Sequence, residues 1–412
     1  MNSEQPASGS RPSIVFARRM AAAKPSAIRE ILKVTQSPDV ISFAGGLPAS
    51  ELFPVGAIAR ASAEVLAKDG PAALQYGVTE GHAPLRAWVA DHLNSTVGID
   101  ASPDGILITH GSQQALDLLA KVLLDPGDSV LVEEPAYLGA LQAFRAYEAN
   151  PVGVASDEAG LCPAALETAL QTASKAPKFL YLIPNFQNPT GRSLSAQRRR
   201  ELAAIAARYD LLVVEDDPYG ELRYSGTPVP AVATLLPRDR WVYLGTASKI
   251  LTPGLRVAWL ATANAALHER LVTAKQSTDL HTTTFGQQVV YAALQQPNFL
   301  RTHLASLCAV YGARRNTMLA ALAAHVGEKA EWTQPDGGLF LWLTLRDKNQ
   351  DALRLLEEAM KHRVAFVPGA PFWVQTPKHN TLRLNFSHAG EDRIEVGIRR
   401  FAGALEALTG RA

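Results

Sequence analysis

Between about residue 70 and residue 265 the chain keeps returning to one unit: an unbroken apolar run of strand length, a polar junction, then a stretch of helical period. "GILITHGS" passes into "SQQALDLLAKVLL", whose Leu116, Leu119 and Leu123 share one helix face. "DSVLVEEPAY", "KFLYLIPNFQNPTG", "DLLVVEDDPYG" and "RWVYLGTASK" read as further strands, and "SAQRRRELAAIAARY" as a helix connecting two of them. Strands that are apolar throughout need cover on both faces. The alternation therefore predicts an α/β fold with a mostly parallel sheet between helices. After about residue 300 the pattern changes to a long helix, then "GGLFLWLTL", a helix, "VAFVPGAPF" and "NTLRLNFS". Residues 300–412 thus read as a smaller α+β domain, on which residues 13–49 are expected to pack. Residues 50–299 form the large domain, and the polar, Ser- and Pro-containing residues 1–12 form a disordered tail.

Composition narrows the function classes. A chain of 412 residues with 47% hydrophobic content can bury a large core. Lys+Arg number 40 against Asp+Glu 39, a net charge of +1, which points away from nucleic acid and from anionic membranes as partners. Cys162 and Cys308 are too few and too distant for a disulfide framework or a zinc cluster, and read as buried or incidental thiols. No metal site is expected. No apolar run reaches spanning length, and the N-terminus lacks a signal-peptide core, so the expected setting is the cytoplasm.

Each apolar run hands over to polar residues at its C-terminal end. The junctions carry Gly111, Ser112 and Gln113; then Pro135 and Tyr137; then Asn185, Gln187 and Asn188; then Glu215, Asp216, Asp217 and Tyr219; then Thr246, Ser248 and Lys249. Ligands of open parallel sheets bind at this edge. One such junction means little, and a lone lysine at a strand end is ordinarily just solvated. Five together supply an amine, a carboxylate, an aromatic ring and phosphate donors. Pyridoxal phosphate asks for that set: an amine for its aldehyde, a carboxylate for its pyridine nitrogen, helix N-terminal amides, hydroxyls and a cation for its phosphate, and a flat group over its ring.

On these residues the chain resembles the fold-type I, class I/II aminotransferases from residue 13 to the end. "SKILTPGLR" resembles the family's lysine motif, "NPTG" its Asn loop, "DDPY" its Asp-x-x-Tyr and "RLNFS" its arginine strand. "SAIREILKVTQ", "ISFAGGLP", "ALQYG", "GSQQALDL" and "FQNPTG" are similar to the 2-aminoadipate and kynurenine branch. The resemblance implies a large domain with a seven-stranded-type sheet and a smaller α+β domain. Lys249 would bond the cofactor and shuttle a proton. Asp216 would face the pyridine nitrogen; Asp217 competes, and spacing to Tyr219 favours Asp216. Tyr219 and Asn188 would donate to the phenolic oxygen. Ser112, Gln113, Thr246, Ser248 and Arg256 would hold the phosphate, and Tyr137 would stack on the ring. Tyr76 would reach the partner's phosphate, implying a homodimer with shared sites. Arg383 would fork the substrate α-carboxylate, Asn188 would line the same subsite, and Arg29 beside Gly46 would meet an acidic side chain. His281 and "FVPGAPF" read as structural and pocket-wall elements, and "QRRRE" as a solvated helix face.

The implied activity is transfer of an amino group from an L-amino acid (2-aminoadipate, glutamate or a broad set including aromatic and apolar ones) to a 2-oxo acid such as 2-oxoglutarate, by a ping-pong path. A carbon–sulfur β-lyase is the alternative. A regulator carrying an aminotransferase-like domain is more remote, since only a short polar tail precedes residue 13.

Overall fold

In the computed structural model, residues 14, 16–21 and 39–409 are described. The strands in chain order are β1 (Ile41–Ser42), β2 (Ile106–Thr109), β3 (Ser129–Glu134), β4 (Asn150–Asp157), β5 (Gly160–Leu161), β6 (Leu180–Leu182), β7 (Val213–Asp216), β8 (Trp241–Thr246), β9 (Ala258–Ala261), β10 (Ala330–Trp332), β11 (Phe340–Leu345), β12 (Val364–Ala365), β13 (Val367–Pro368) and β14 (Thr381–Asn385).

The large sheet has the order β2-β9-β8-β7-β6-β3-β4-β5. The pairs β8/β7, β7/β6, β6/β3 and β3/β4 are parallel. Two-residue β5 is an antiparallel edge hairpin on β4, so the expected seven strands carry one small addition. The edge strand β2 and the inner strands β7 and β8 are buried along their whole length, as a sheet covered on both faces requires.

β9 was not anticipated. It runs antiparallel to both β2 and β8. Its four residues follow a Pro-Gly turn that forms only a single turn of 3-10 helix, Pro253–Leu255, too short a connection for the crossover a parallel strand needs. The reversal has a positional consequence. Ala258, the first residue of β9, pairs with Thr109 and Thr246, the last residues of β2 and β8. The residues just before β9 therefore arrive at the same sheet edge as the residues just after the other strands.

The second sheet, β10-β11-β14-β13, is antiparallel, with the long helices Phe299–His325 and Glu391–Thr409 packed together beside it. β1 pairs in parallel with β12, and Phe43 continues that path by donating to the Ala365 carbonyl. Arg18 instead pairs with Glu148, next to the helix Leu138–Ala146 of the large sheet. One apolar cluster runs across both sheets, from Leu116, Val130 and Leu244 to Leu343, Val367 and Leu384. Among the described residues, no helix is long and apolar enough to cross a membrane and no group of His, Cys, Asp and Glu could hold a metal ion. Cys162 and Cys308 are free thiols.

The "QRRRE" expectation needs correction. Arg199 is fully buried. Its guanidinium donates to the carbonyls of Leu194, Val229, Pro230 and Pro184 and to Asn185 Oδ1, so its desolvation is matched by hydrogen bonds. Arg199 lies in helical phase with Leu202, Ala203 and Ala206, all buried.

Candidate active site

The carboxyl edge of the large sheet forms a floor. Gly111 precedes the helix Ser112–Leu123 at φ 82°, and a Cβ there would overlap the Arg256 guanidinium, so only glycine allows the two to meet. Arg256 comes in on the strand-reversal loop before β9, with φ 54°, and donates to the His110 carbonyl at 3.2 Å. Thr246 and Ser248 are buried beside it with their hydroxyls 3.0 Å apart. Two helix N-terminal amides, two hydroxyls and a guanidinium converge here, a set suited to a dianionic phosphate. The Gln113 side chain itself is turned away to the Gly139 carbonyl at 2.8 Å, leaving the backbone amide as the group it can offer. The half-buried Tyr137 ring lies against Gly139, where a Cβ would overlap the phenol.

The two adjacent acids at the end of β7 are in opposite situations. Asp217 is saturated: its oxygens accept from Asn185 (3.0 Å), Tyr243 (2.9 Å) and the Gly220 amide (2.9 Å). Asp216, more deeply buried than Asp217, accepts a single bond from Tyr181 at 2.7 Å through Oδ2, and its Oδ1 has no partner. Burial pushes the Asp216 carboxyl up to about 7, the Tyr181 bond opposing and the Asp217 charge adding to the rise. An unmatched buried carboxylate oxygen is costly, and an N–H group is what would satisfy it.

Lys249 follows β8 and donates through Nζ to the Gly46 carbonyl at 2.8 Å. Burial first, then the charges of Arg383 and Arg256, lower its ammonium pKa to about 8. Such an amine is neutral and nucleophilic far more often than a surface lysine at neutral pH.

Opposite the floor stands a wall built on β14. Arg383 is 1% exposed, donates to Asn188 Oδ1 at 2.7 Å and to the Ala44 carbonyl at 2.8 Å, and has no partner on Nε. Its Cζ lies 4.2 Å from the Phe340 ring centre and 5.3 Å from that of Phe372, the last ring of "FVPGAPF". Burial lowers its pKa to about 10, so it stays a cation. Asn188 spans wall and floor, with Nδ2 3.5 Å from the Tyr219 hydroxyl. Burial also raises the Tyr219 phenol pKa, so it remains a donor.

The fold therefore brings Lys249, Asp216, Tyr219, Asn188, Arg383, Thr246, Ser248, Arg256, Ser112, Tyr137 and Gly46 to one place. Tyr76 lies apart from them, 78% exposed, with its ring edge-on to His281 at 5.7 Å. His281 has backbone contacts, its Nδ1 2.8 Å from the Thr282 carbonyl oxygen and its Nε2 accepting from the Gly77 amide. A groove of about 810 Å³ beside them is lined by His110, Gln113, Arg256 and His281; Lys249, Asp216 and Arg383 do not line it. Arg29 lies outside the described residues. Sequence reasoning missed Tyr181 and the Ala44 carbonyl. For Tyr181 a signal existed: it pairs with Val214, two residues before Asp216 on the parallel neighbour, so both side chains share one sheet face.

The donor set fits pyridoxal phosphate on two independent observations: the orphaned Oδ1 of Asp216, and the cradle at Gly111 that a Cβ would close.

A family model described as aminotransferase class I and II matches residues 38–401. The chain is 43% identical over 394 residues to aromatic-amino-acid aminotransferase 1 of Thermococcus litoralis, covering 95% of this chain and 94% of that one. It is 43% identical over 386 residues to 2-aminoadipate transaminase of Thermus thermophilus, covering 93% and 94%. The crystal structure of α-aminoadipate aminotransferase from Thermus thermophilus, complexed with N-(5'-phosphopyridoxyl)-L-leucine, superposes with a TM-score of 0.88 at 41% identity over 96% of this chain and 98% of that one.

Proposed function

The chain belongs to the class I and II aminotransferases, and we propose that within this family of pyridoxal-phosphate enzymes it takes the amino group from a broad range of L-amino acids and passes it to 2-oxoglutarate or a similar 2-oxo acid. The observation that carries the reading is the pairing of two unmatched buried groups of opposite charge, Asp216 Oδ1 on the floor and Arg383 Nε on the wall, with the Lys249 amine at the same site.

In this reading the amides of Ser112 and Gln113, the hydroxyls of Thr246 and Ser248, and Arg256 hold the cofactor phosphate. Tyr137 would cover the ring, Asp216 Oδ1 would accept from the pyridine N–H, and Tyr219 with Asn188 would serve the phenolic oxygen. When bound, the cofactor supplies an electron sink for the bond broken at the substrate Cα. Arg383 and Asn188 orient the α-carboxylate, which fixes which Cα bond lies open to attack. Lys249 would take the Cα proton on Nζ and give it back from the same atom. Its lowered pKa suits a group that must both accept and release a proton near neutral pH. Asp216, held as a carboxylate, would keep the pyridine nitrogen protonated. Donor and acceptor use one site in turn, so the kinetics are ping-pong.

Two relatives support a broad donor range across three kinds of amino acid: one is named for aromatic amino acids, and the other, named for 2-aminoadipate, is also crystallised with a leucine derivative. Arg383 serves all three through the shared α-carboxylate, and Arg29 is the candidate for a distal acidic group. The exposed Tyr76, with its neighbours Leu74 and Val78 at 72% and 61% exposure, supports a homodimer in which Tyr76 completes the partner's phosphate site.

The test is a panel of amino donors with 2-oxoglutarate as acceptor, followed with and without that acceptor. Aromatic, acidic and branched donors all yielding glutamate is the expected result. Pyruvate from a cysteine conjugate with no acceptor present, and no transfer with it, would replace the transaminase reading by a β-lyase.

A further inference from the structure

We infer that Tyr181 is a positioning residue for Asp216: by donating to Oδ2 it fixes the carboxylate so that Oδ1 faces the pyridine nitrogen, and it keeps the shared proton on that nitrogen. The inference rests on the cofactor reading above.

Tyr181 lies in β6, 2% exposed, in a strand otherwise built of leucine. A phenol buried there must hydrogen-bond, and the bond it makes is the 2.7 Å contact to Asp216. The other acids of this edge are met differently. Glu133 accepts the Ile183 amide, Glu215 the amides of Val232 and Ala233, and Asp217 three donors. Among the described residues, Asp216 Oδ1 is the one buried carboxylate oxygen without a hydrogen bond.

The chemical type of the donor matters. A lysine or arginine in place of Tyr181 would compensate the carboxylate's charge and weaken its hold on a pyridinium. A phenol leaves the full negative charge in place while lowering the carboxylate's own proton affinity. The ionisable groups near Asp216 are Tyr181 on β6, Asp217 next along its own chain, and the phenols of Tyr137 and Tyr219. Burial and Asp217 favour the protonated acid; Tyr181 is the group that opposes them. Without it, the proton of the Asp216–pyridine contact moves toward the carboxylate and the ring loses electron-withdrawing power.

A matched control is built into the site. Tyr243 is a buried phenol that donates to the neighbouring Asp217 at 2.9 Å. Holoenzyme is loaded with cofactor whose pyridine nitrogen is isotopically labelled for NMR, in wild type, Tyr181→Phe, Tyr243→Phe and Asp216→Asn. In Tyr181→Phe the nitrogen resonance should move toward that of the neutral ring, and kcat should fall about tenfold with KM for the amino donor little changed, the loss of one hydrogen bond to a charged acceptor. Tyr243→Phe should leave the nitrogen where it is. Equal shifts in the two phenylalanine variants, or none in Tyr181→Phe, would overturn the inference. A nitrogen unmoved by Asp216→Asn would instead overturn the cofactor reading. Fluorotyrosine placed singly at 181 or at 243 gives a second measurement that does not delete the hydrogen bond. Its fluorine resonance should respond to cofactor loading at 181 and not at 243, and the same response at both positions counts against the inference.

Discussion

The floor and the wall of the site are built from different materials. The floor is the edge of a parallel sheet, where strand ends deliver Asp216, Thr246 and the Lys249 loop at fixed spacing. The wall is one strand of a small antiparallel sheet, β14, completed by backbone carbonyls from the segment that follows β1. At the site, each leaves a deeply buried atom unmatched: the acceptor Asp216 Oδ1 on the floor, the donor Arg383 Nε on the wall. A buried polar group without a partner costs about 1–3 kcal/mol, so neither arrangement is favoured by stability alone. The two regions divide the labour. The floor is matched to a group with a cationic N–H, the wall to an anion, so the floor should govern the rate of proton transfer and the wall the capture of substrate.

The largest break would come at Lys249. Lys249→Ala should lose at least ~10²–10⁴-fold in kcat, the range for a missing acid–base group, and borohydride treatment should no longer fix cofactor to the chain by mass. Full turnover by this variant would dissolve the distinction altogether. Next come the two acids. Asp216→Ala should bind cofactor weakly and cost roughly 10–100-fold in turnover, as expected for a charged hydrogen bond. Asp217→Ala should leave turnover closer to wild type but lower the melting temperature, because it strands Asn185, Tyr243 and the Gly220 amide. The reverse pattern would shift the assignment by one residue.

On the wall, Arg383→Gln should raise KM by about 10–100-fold for every donor, since all share the α-carboxylate. Arg29→Ala should reduce efficiency by about 10–100-fold for 2-aminoadipate and glutamate and spare leucine and phenylalanine. An equal loss on both classes would remove Arg29 from the pocket. The smallest effect is one of pH. In cofactor-free protein, reductive methylation of Lys249, followed by mass spectrometry, should rise with a midpoint near its lowered pKa of about 8. Only the neutral amine reacts, so the burial that lowers the pKa moves the rise to lower pH, while exposed lysines follow near ~10.4. A midpoint like theirs would mean that the floor does not tune its amine.

The floor was the more legible region. A run of apolar residues ending in Asp, Asn or Lys marks a strand end, and parallel strands line up their ends by construction, so Asp216, Asn188 and Lys249 could be placed from order and spacing. The lone Arg383 within "RLNFS" depended on family resemblance, because nothing in a short antiparallel strand says which pocket it faces. β9 escaped because four apolar residues carry no sign of direction. Arg199 escaped because three consecutive arginines hide which of them is in phase with the buried face. The Ala44 carbonyl escaped, and Gly46 is legible only as room beside Arg29 and not as a carbonyl acceptor, because the main chain has no letter in the alphabet of side chains.

That last point reaches beyond the site. The short stretch after β1 is tied down by its carbonyls: Ala44 to Arg383, Gly46 to Lys249 and Leu47 to the Ser387 hydroxyl. Every residue type brings the same carbonyl, so these moorings survive substitution as long as the path of the chain does. Leu47, whose side chain is 48% exposed, is accordingly a position where mutation can explore new contacts without loosening either buried cation. A lineage, or an engineer, could diversify this rim over many generations while the chemistry beneath it is inherited unchanged.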